Sequence, residues 1–357
     1  MAPQSEALPL ISVVVPSYNQ GRFLREALDS IFRQDYPALE VVVMDGGSTD
    51  DSVDIIRSYA GRLKHWQSGR DGGQSAAINA GMRHATGPVV AWLNSDDFYV
   101  GNCLWTVADA YLRFPGYGLY VGNGFRHEDA TGRQTPFCRG KLTLNRQALV
   151  YGLDFVLQPS TFFLKEAWDR AGGLDPALRF GMDWDLIIRI AQGWPAVLMN
   201  EFLAASREYD ETKTRSGGLE RILELCSIVR RYTGNELTPG TLYYLLGTLL
   251  AAGAGGAAEG LHESLAGGLH CIEKRWLAEF GSHDGFPAIG DPQDRLYLPL
   301  GGEVPATGQT AAAPDGLATI SVVGAQGESA RPRRGLGRRV WRYVRERLVP
   351  PGRRAAG

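Results

Sequence analysis

The sequence lacks several patterns that mark large enzyme classes. Neither GxGxxG nor GxxxxGK[ST] follows the first predicted strand, which excludes the usual dinucleotide and P-loop sites. The four cysteines are too widely spaced to form a metal-binding or redox pair, so reduced thiols of a cytosolic protein are predicted. They are Cys103, Cys138, Cys226 and Cys271. Residues 1–9 contain neither a basic region nor an apolar run, so no secretory signal is expected.

Long apolar runs are scarce as well. Residues 241–258 are uncharged, but their glycines and alanines make a poor membrane span, and a buried pair of helices is the better prediction. With 44% hydrophobic and 21% charged residues, the composition is that of a globular protein. A chain of 357 residues suffices for one large α/β domain with an appendage, or for two domains.

Positive charge is concentrated at the C-terminus. Residues 331–357 contain ten arginines and one glutamate, whereas the whole chain has a net charge of −2. Such a basic tail predicts an anionic partner, either a membrane surface or a nucleic acid. Within residues 336–349, apolar side chains recur between the arginines at helical spacing, which favours peripheral contact with an anionic membrane. Nucleic acid is therefore not expected as a partner.

The sequence does contain a regular alternation of strand and helix patterns. Apolar runs at residues 11–16, 39–44, 63–67, 89–93 and 119–121 predict strands, and helical patterns separate them. Further helices are predicted near residues 219–232 and 242–252. This alternation predicts an α/β fold with a mostly parallel sheet flanked by helices. The predicted organisation is a catalytic domain at 1–215, a helical extension at 216–280, a flexible linker at 281–330 and a basic, amphipathic tail at 331–357.

Polar residues follow three of these strands. They are Ser17 and Tyr18, then Asp45, then Asp96 and Asp97. Open α/β sheets bind ligands at the carboxyl ends of their strands, so these side chains are expected to converge on one site. An aromatic ring suits stacking on a base, and adjacent carboxylates suit a divalent cation that bridges a diphosphate. The alternative is that the aspartates only form turns.

Two further carboxylates, Asp183 and Asp185, begin a predicted helix at residues 182–191. Free backbone N–H groups and the helix dipole favour carboxylates at this position. Capping of the helix N-terminus readily explains one of the two acids, but it explains the presence of both less well. The pattern alone leaves structural and chemical roles open.

Together these residues resemble a family 2 glycosyltransferase of the GT-A fold. The resemblance covers about residues 10–215. Its five motifs lie at residues 13–19 (VVVPSYN), 43–50 (VMDGGSTD), 70–81 (RDGGQSAAINAG), 94–97 (NSDD) and 172–186 (GGLDPALRFGMDWDL).

This resemblance implies an inverting hexosyltransferase that uses a UDP-, GDP- or dTDP-linked sugar donor and Mg²⁺ or Mn²⁺. The acceptor would be a glycan or a lipid-linked molecule, as in cell-surface polysaccharide biosynthesis in the cytoplasm, at the inner face of the cell membrane. The residues implied to hold the nucleotide are Pro16, Ser17, Tyr18, Asn19, Asp45, Arg70, Asp71, Gln74 and Asp96. Asp97, with Asp96, is implied to hold the metal, and Asp183, or alternatively Asp185, to be the catalytic base.

Two departures from the family pattern concern the metal and the base. Met182 stands where the family usually has Glu, and no histidine occurs between His127 and His262, although many relatives have one in the segment matching 206–214. A non-catalytic nucleotide-sugar-binding protein is therefore one alternative. A sugar-phosphate nucleotidyltransferase is another, but the Gly-rich loop usual in that class is missing after the first strand.

Overall fold

A computed structural model describes residues 8–138, 142, 144, 149–151, 156–235, 237–251 and 295–297. The strands in this part of the chain are β1 (Ile11–Ser17), β2 (Leu39–Asp45), β3 (His65–Ser68), β4 (Val89–Trp92), β5 (Phe98–Tyr99), β6 (Leu119–Glu128), β7 (Gln134–Pro136), β8 (Thr161–Leu164), β9 (Ala196–Glu208) and β10 (Arg295–Tyr297). The helices are α1 (Gly21–Phe32), α2 (Ser52–Tyr59), α3 (Gln74–Met82), α4 (Cys103–Arg113), α5 (Lys165–Ala171), α6 (Met182–Gly193), α7 (Lys213–Ser216), α8 (Gly218–Thr233) and α9 (Pro239–Ala251). Short 3₁₀ turns lie at Ala60–Arg62 and Gln158–Ser160.

The strands form one mixed sheet in the order β10-β9-β6-β8-β4-β1-β2-β3. Strands β4, β1, β2 and β3 are mutually parallel, as are β6, β9 and β10. Strand β8 lies antiparallel between β4 and β6, while β5 and β7 pair antiparallel with β9 and β6. The predicted α/β class with a mostly parallel sheet is confirmed.

The apolar character of the first strands follows from burial on both faces of the sheet. In β1, Val13 and Val15 enter the core beneath α1, α2 and α4, and Val14 enters the core with α3 and α6. In β2, Val43 and Met44 divide between the two cores in the same way. Because neither face meets water, residues 13–16 and 41–44 form continuous apolar runs that do not alternate with polar residues.

The largest difference from the predicted strands concerns β6 and β9. Only residues 119–121 were expected as a strand in this region, whereas β6 has ten residues and its parallel partner β9 has thirteen. The register of this pair shifts around Asn123, and β9 contains the polar pair Asn200 and Glu201. These irregularities interrupt the apolar pattern by which a strand is read from sequence.

Helices α8 and α9 confirm the predicted helices near residues 219–232 and 242–252. Leu225 and Ile228 of α8 lie in the same core as Leu186 of α6, so α8 packs on the sheet domain. Within the predicted linker, Arg295–Tyr297 form a strand parallel to β9, whereas the tail at 331–357 lies outside the described residues. None of the helices described for this chain is long and apolar enough to cross a membrane.

Candidate functional site

The carboxyl ends of three neighbouring strands lie side by side. Ser17 of β1 is in register with Asp45 of β2, which is in register with Ser68 of β3. Asp45 is 2% exposed, and its carboxylate accepts hydrogen bonds from the backbone N–H groups of Gly47 and Ser48 and from the hydroxyls of Ser48 and Ser68. Asp45 therefore shapes the loop at residues 46–50.

The same loop holds Asn19 in the segment after β1. The backbone N–H of Asn19 donates to Ser48 Oγ at 2.8 Å, and Asn19 Oδ1 accepts the N–H of Thr49 at 2.8 Å. Asn19 has a φ of 52°, a conformation that asparagine tolerates better than most residues. Ser48 and Thr49 do not cap the next helix, because both side chains face this loop and α2 begins only at Ser52.

An aromatic ring and a carboxylate flank the glycine that follows Asp45. A Cβ atom at Gly46 would lie 3.2 Å from Cδ2 of Tyr18 and 3.2 Å from Oδ2 of Asp71. The ring of Tyr18 is 63% exposed, and Arg70 beside Asp71 is exposed as well. The loops after β1, β2 and β3 thus meet around an accessible aromatic face.

Pro16 and Ser17, at the end of β1, differ in what they offer a ligand. Pro16 is buried opposite Met44 and contributes no hydrogen-bond donor. Ser17 is also buried, and its hydroxyl has no hydrogen-bond partner among the described residues. A buried hydroxyl without a partner at the edge of the sheet is a candidate ligand contact.

The acidic pair follows β4. Asp97 is 4% exposed, and its Oδ1 accepts the backbone N–H of Arg207 at 2.9 Å, while Oδ2 accepts Nδ2 of Asn94 at 3.2 Å. Burial, and then the negative charge of Asp96, raise the pKa of Asp97 to about 8. Asp96 accepts the hydroxyl of Tyr209 on Oδ2 at 2.7 Å, and its Oδ1 has no donor among the described residues.

Arg207 of β9 organises this pair and was not identified from the sequence. Its guanidinium donates to Asp129 at 2.7 Å, to Glu26 at 2.5 Å and to the carbonyl oxygen of Asp96 at 2.9 Å. It also lies 4.4 Å from the ring centroid of Phe23. Its neighbours Ser206 and Glu208 are also polar, and β9 itself was not predicted, so no local pattern indicated a role for Arg207.

The acidic pair fits a hard divalent cation. In the part of the chain described here, no three His, Cys, Asp or Glu side chains cluster as a metal cage. Mg²⁺ and Mn²⁺ sites commonly use one or two carboxylates completed by substrate phosphates and water. A bound cation would favour the ionised form of Asp97, which burial disfavours. Asp96 and Asp97 are the residues that would hold it.

A chain of side-chain amides connects the acidic pair to α3 and to α7. Gln74 Nε2 donates to Asn94 Oδ1 at 2.7 Å, and Asn94 Nδ2 donates to Gln158 Oε1 at 3.1 Å. Gln74 Oε1 accepts Lys213 Nζ. Desolvation lowers the pKa of Lys213, and the positive charge of Arg179 lowers it further. The negative charges of Asp183 and Asp96 act in the opposite direction. Of these residues, Asn94 and Gln158 lacked any proposed role from sequence.

The two acids that begin α6 have different surroundings. Asp185 is 1% exposed, its Oδ2 accepts Arg189 Nε at 2.8 Å, and its Oδ1 accepts the hydroxyl of Tyr232 at 2.8 Å. Asp183 is less buried, and its Oδ1 accepts the neighbouring N–H of Trp184 at 2.8 Å. Burial raises the pKa of Asp183, as expected for a carboxylate poised to take a proton. Both oxygens of Asp185 are therefore occupied by structural partners, whereas Asp183 can accept a further hydrogen bond.

The curated proteins that match this chain include several glycosyltransferases. An uncharacterized glycosyltransferase of Mycobacterium tuberculosis is 30% identical over 185 residues, which cover 51% of this chain and 69% of that protein. One from Rickettsia typhi is 25% identical over 248 residues, or 66% of this chain and 76% of that protein. The chain spans only 39% of the relative from Rickettsia felis, at 25% identity over 64% of this chain.

Solved structures with a similar outline include S. aureus TarS in complex with UDP-GlcNAc, at a TM-score of 0.49 and 18% identity over 67% of this chain and 71% of that chain. A mannosyltransferase from Pyrobaculum calidifontis, in complex with GDP-Man and Mn²⁺, has a TM-score of 0.49 and 22% identity over 76% of this chain and 82% of that chain. Residues 12–170 match the sequence profile of glycosyl transferase family 2. That range contains the loops after β1, β2 and β3 and the acidic pair. The chain belongs to glycosyl transferase family 2.

Proposed function

We propose that this glycosyltransferase is an inverting, metal-dependent hexosyltransferase. It would move a sugar from a UDP-, GDP- or dTDP-linked donor to a hydroxyl group of a glycan or lipid-linked acceptor. The observation that carries this proposal is the convergence of Tyr18, Asp71 and the Asp96–Asp97 pair on one sheet edge, with Lys213 between that edge and Asp183.

The nucleotide would lie across the loops after β1, β2 and β3. The exposed ring of Tyr18 would stack on the base, because every base presents a π-face, and Asp71 on the other side of Gly46 would accept hydrogen bonds from the nucleoside. The free hydroxyl of Ser17 would complete this half of the site. Asp45 would act indirectly, since its oxygens already bind the loop.

The diphosphate would then lie between the acidic pair and Lys213. A divalent cation on Asp96 and Asp97 would neutralise the charge that develops on the diphosphate. Lys213 donates to Gln74 Oε1 and to the carbonyl oxygen of Arg179, and forms no ion pair with a carboxylate in the described part of the chain. An ammonium group has three N–H donors, so one remains for a diphosphate oxygen.

Asp183 would remove the proton from the acceptor hydroxyl. The hydroxyl oxygen forms a bond to the anomeric carbon while the bond from that carbon to the diphosphate oxygen breaks, and the nucleoside diphosphate leaves with the electron pair. Attack opposite the leaving group inverts the anomeric configuration. The raised pKa of Asp183 matches this task, because a base works best when its pKa approaches the operating pH.

The test is a donor screen that measures release of UDP, GDP and dTDP with Mn²⁺ or Mg²⁺, and with EDTA. We expect one donor class to be consumed by the wild type, with Asp97→Ala and Asp183→Asn each reducing turnover by about 10²-fold or more. Asp54→Asn, at an exposed residue of α2, is the matched control and should not change turnover. Nucleotide binding without turnover of any donor would instead identify a non-catalytic binding protein.

A further inference from the structure

Glu224, on helix α8 of the C-terminal extension, contacts the segment that leads into the Asp183 helix. Its Oε2 accepts a hydrogen bond from the backbone N–H of Arg179 at 2.8 Å. Its Oε1 accepts hydrogen bonds from the N–H groups of Phe180 at 2.6 Å and Gly181 at 2.8 Å. One carboxylate thus satisfies three consecutive backbone donors directly before α6, where the helix dipole favours negative charge.

The same helix packs on the backbone at Gly181. A Cβ atom at this position would lie 2.6 Å from Cδ1 of Ile228 and 2.9 Å from Cδ2 of Leu225, so a side chain cannot be accommodated without movement. Both of these α8 residues are buried. The start of α6 is therefore fixed to α8 by close packing as well as by hydrogen bonds.

The other side of this segment is attached to the nucleotide half of the site. The carbonyl oxygen of Arg179 accepts Lys213 Nζ at 3.3 Å, and the carbonyl oxygen of Leu178 accepts the hydroxyl of Ser75 on α3 at 3.3 Å. Residues 178–181 are thus held between α8 and the elements that carry the nucleotide-side residues. Their position determines where α6 begins and hence where Asp183 lies.

Glu224 and Asp183 accept different backbone donors at the start of α6. The N-cap residue of α6 is Gly181, which has no side chain that could accept an N–H group of the first turn. Asp183 accepts the N–H of Trp184 in that turn, whereas Glu224 accepts the three N–H groups that precede the helix.

We propose that Glu224 is a positioning residue for the transfer step, which makes helix α8 part of the catalytic unit. By holding residues 179–181, Glu224 sets the position of the Asp183 carboxylate relative to the acceptor hydroxyl. This inference rests on the proposed role of Asp183 as the base. Because Glu224 binds the backbone that leads into α6 and reaches the diphosphate side only through the bond between Arg179 and Lys213, its loss should lower kcat far more than donor binding.

The experiment compares Glu224→Gln with Glu220→Gln in the full chain. Glutamine has nearly the same size as glutamate, but its amide N–H₂ group would face a backbone N–H group whose hydrogen bond the wild-type carboxylate accepts. Glu220 lies one turn earlier on α8, its side chain is 76% exposed, and its nearest cation is Arg179 at 3.9 Å. The two variants make the same chemical change on the same helix.

We expect Glu224→Gln to lower kcat by about 10- to 100-fold, since a displacement of about 1 Å in a catalytic group costs rate on this scale. The donor KM and the affinity for the free nucleoside diphosphate, measured by calorimetry, should change by far less than kcat. Glu220→Gln should change none of the three quantities.

Three outcomes would overturn the inference, and they are distinguishable. An unchanged kcat in Glu224→Gln shows that the contact has no role in positioning. A loss of kcat accompanied by an equal loss of nucleoside diphosphate affinity shows that Glu224 only maintains the fold. A wild type that binds nucleoside diphosphates but transfers no sugar removes the proposed function, and this inference with it.

Discussion

Replacing Asp183 and Asp185 separately by asparagine should have opposite consequences for stability, although the two residues are only two positions apart in the same helical turn. Asp185 is 1% exposed and receives hydrogen bonds from Arg189 and Tyr232, with Arg231 at 3.6 Å. Asp183 accepts the N–H of Trp184, and burial raises its pKa. The carboxylate of Asp185 is stabilised by its hydrogen-bond partners, whereas ionisation of the buried Asp183 destabilises the folded state.

The expected loss of stability in Asp185→Asn follows from the hydrogen bonds that asparagine can still accept. Its amide oxygen still accepts one hydrogen bond, but the charge that strengthens both bonds is lost, at about 1 kcal/mol for each bond. Arg189 and Arg231 are 25% and 45% exposed and can be solvated by water, which limits the further penalty. A total of about 2 kcal/mol corresponds to a fall in Tm of about 4–8 °C. We expect kcat of the folded variant to stay close to that of the wild type.

The stability of Asp183→Asn has the opposite sign. Because the pKa of Asp183 is raised in the folded state, the ionised carboxylate reduces the free energy of unfolding as the pH rises above the ordinary aspartate value of 3.8. Asparagine removes this penalty, so Tm at pH 7 should be equal to or higher than that of the wild type. Loss of the general base should lower kcat by about 10²- to 10⁴-fold.

The assay pairs thermal unfolding at pH 7 with sugar transfer measured as release of the nucleoside diphosphate. Asp169→Asn on α5, an exposed residue paired with Lys165, controls for the change of charge. The assignment is refuted if Asp185→Asn abolishes transfer without lowering Tm while Asp183→Asn remains active. It is also refuted if both variants lose stability equally and keep their kcat.

Three further predictions concern the nucleotide, the pH dependence and the tail. Tyr18→Ala should weaken binding of the nucleoside diphosphate by about 1–3 kcal/mol in calorimetry. It should not lower Tm, because Tyr18 is 63% exposed. Unchanged binding would exclude stacking on Tyr18. In the pH profile of kcat/KM, activity should fall on the acid side at a pH above 3.8, because burial raises the pKa of Asp183 and only the ionised carboxylate can take a proton. A fall at the ordinary aspartate value would contradict the assignment of Asp183 as the base. Deleting residues 331–357 should leave transfer to soluble acceptors intact but reduce co-sedimentation with anionic liposomes, and equal liposome binding would remove the membrane interpretation.

The sequence predicted those parts of the site that follow regular strands. Ser17 and Asp45 end apolar runs whose burial on both faces produces a clear pattern, so their convergence could be expected from the topology of a parallel sheet. Asp96 and Asp97 follow β4 in the same way. The chemical roles of these residues came from the family resemblance, since strand ends alone do not distinguish a ligand contact from a turn.

The sequence did not predict the residues that orient those side chains. Arg207 lies on β9, whose polar residues and irregular register with β6 hide the strand pattern. Gln158 belongs to a 3₁₀ turn, and its bonds to Trp92 and Asn94 connect positions distant in the chain. Such contacts depend on how elements pack, and no local spacing records them.

The two departures from the family pattern are best understood from these packing contacts. Met182 supplies no carboxylate at the start of α6, but Glu224 of α8 binds the backbone donors at that same helix end, and the sulfur of Met182 instead accepts the hydroxyl of Ser75. No histidine occurs in the segment at 206–214, but the hydroxyl of Tyr209 binds Asp96 there. Glu224 and Tyr209 both lie after residue 195, beyond the range that matches the family profile. Substitutions at these two residues therefore test the chemistry of this chain most directly.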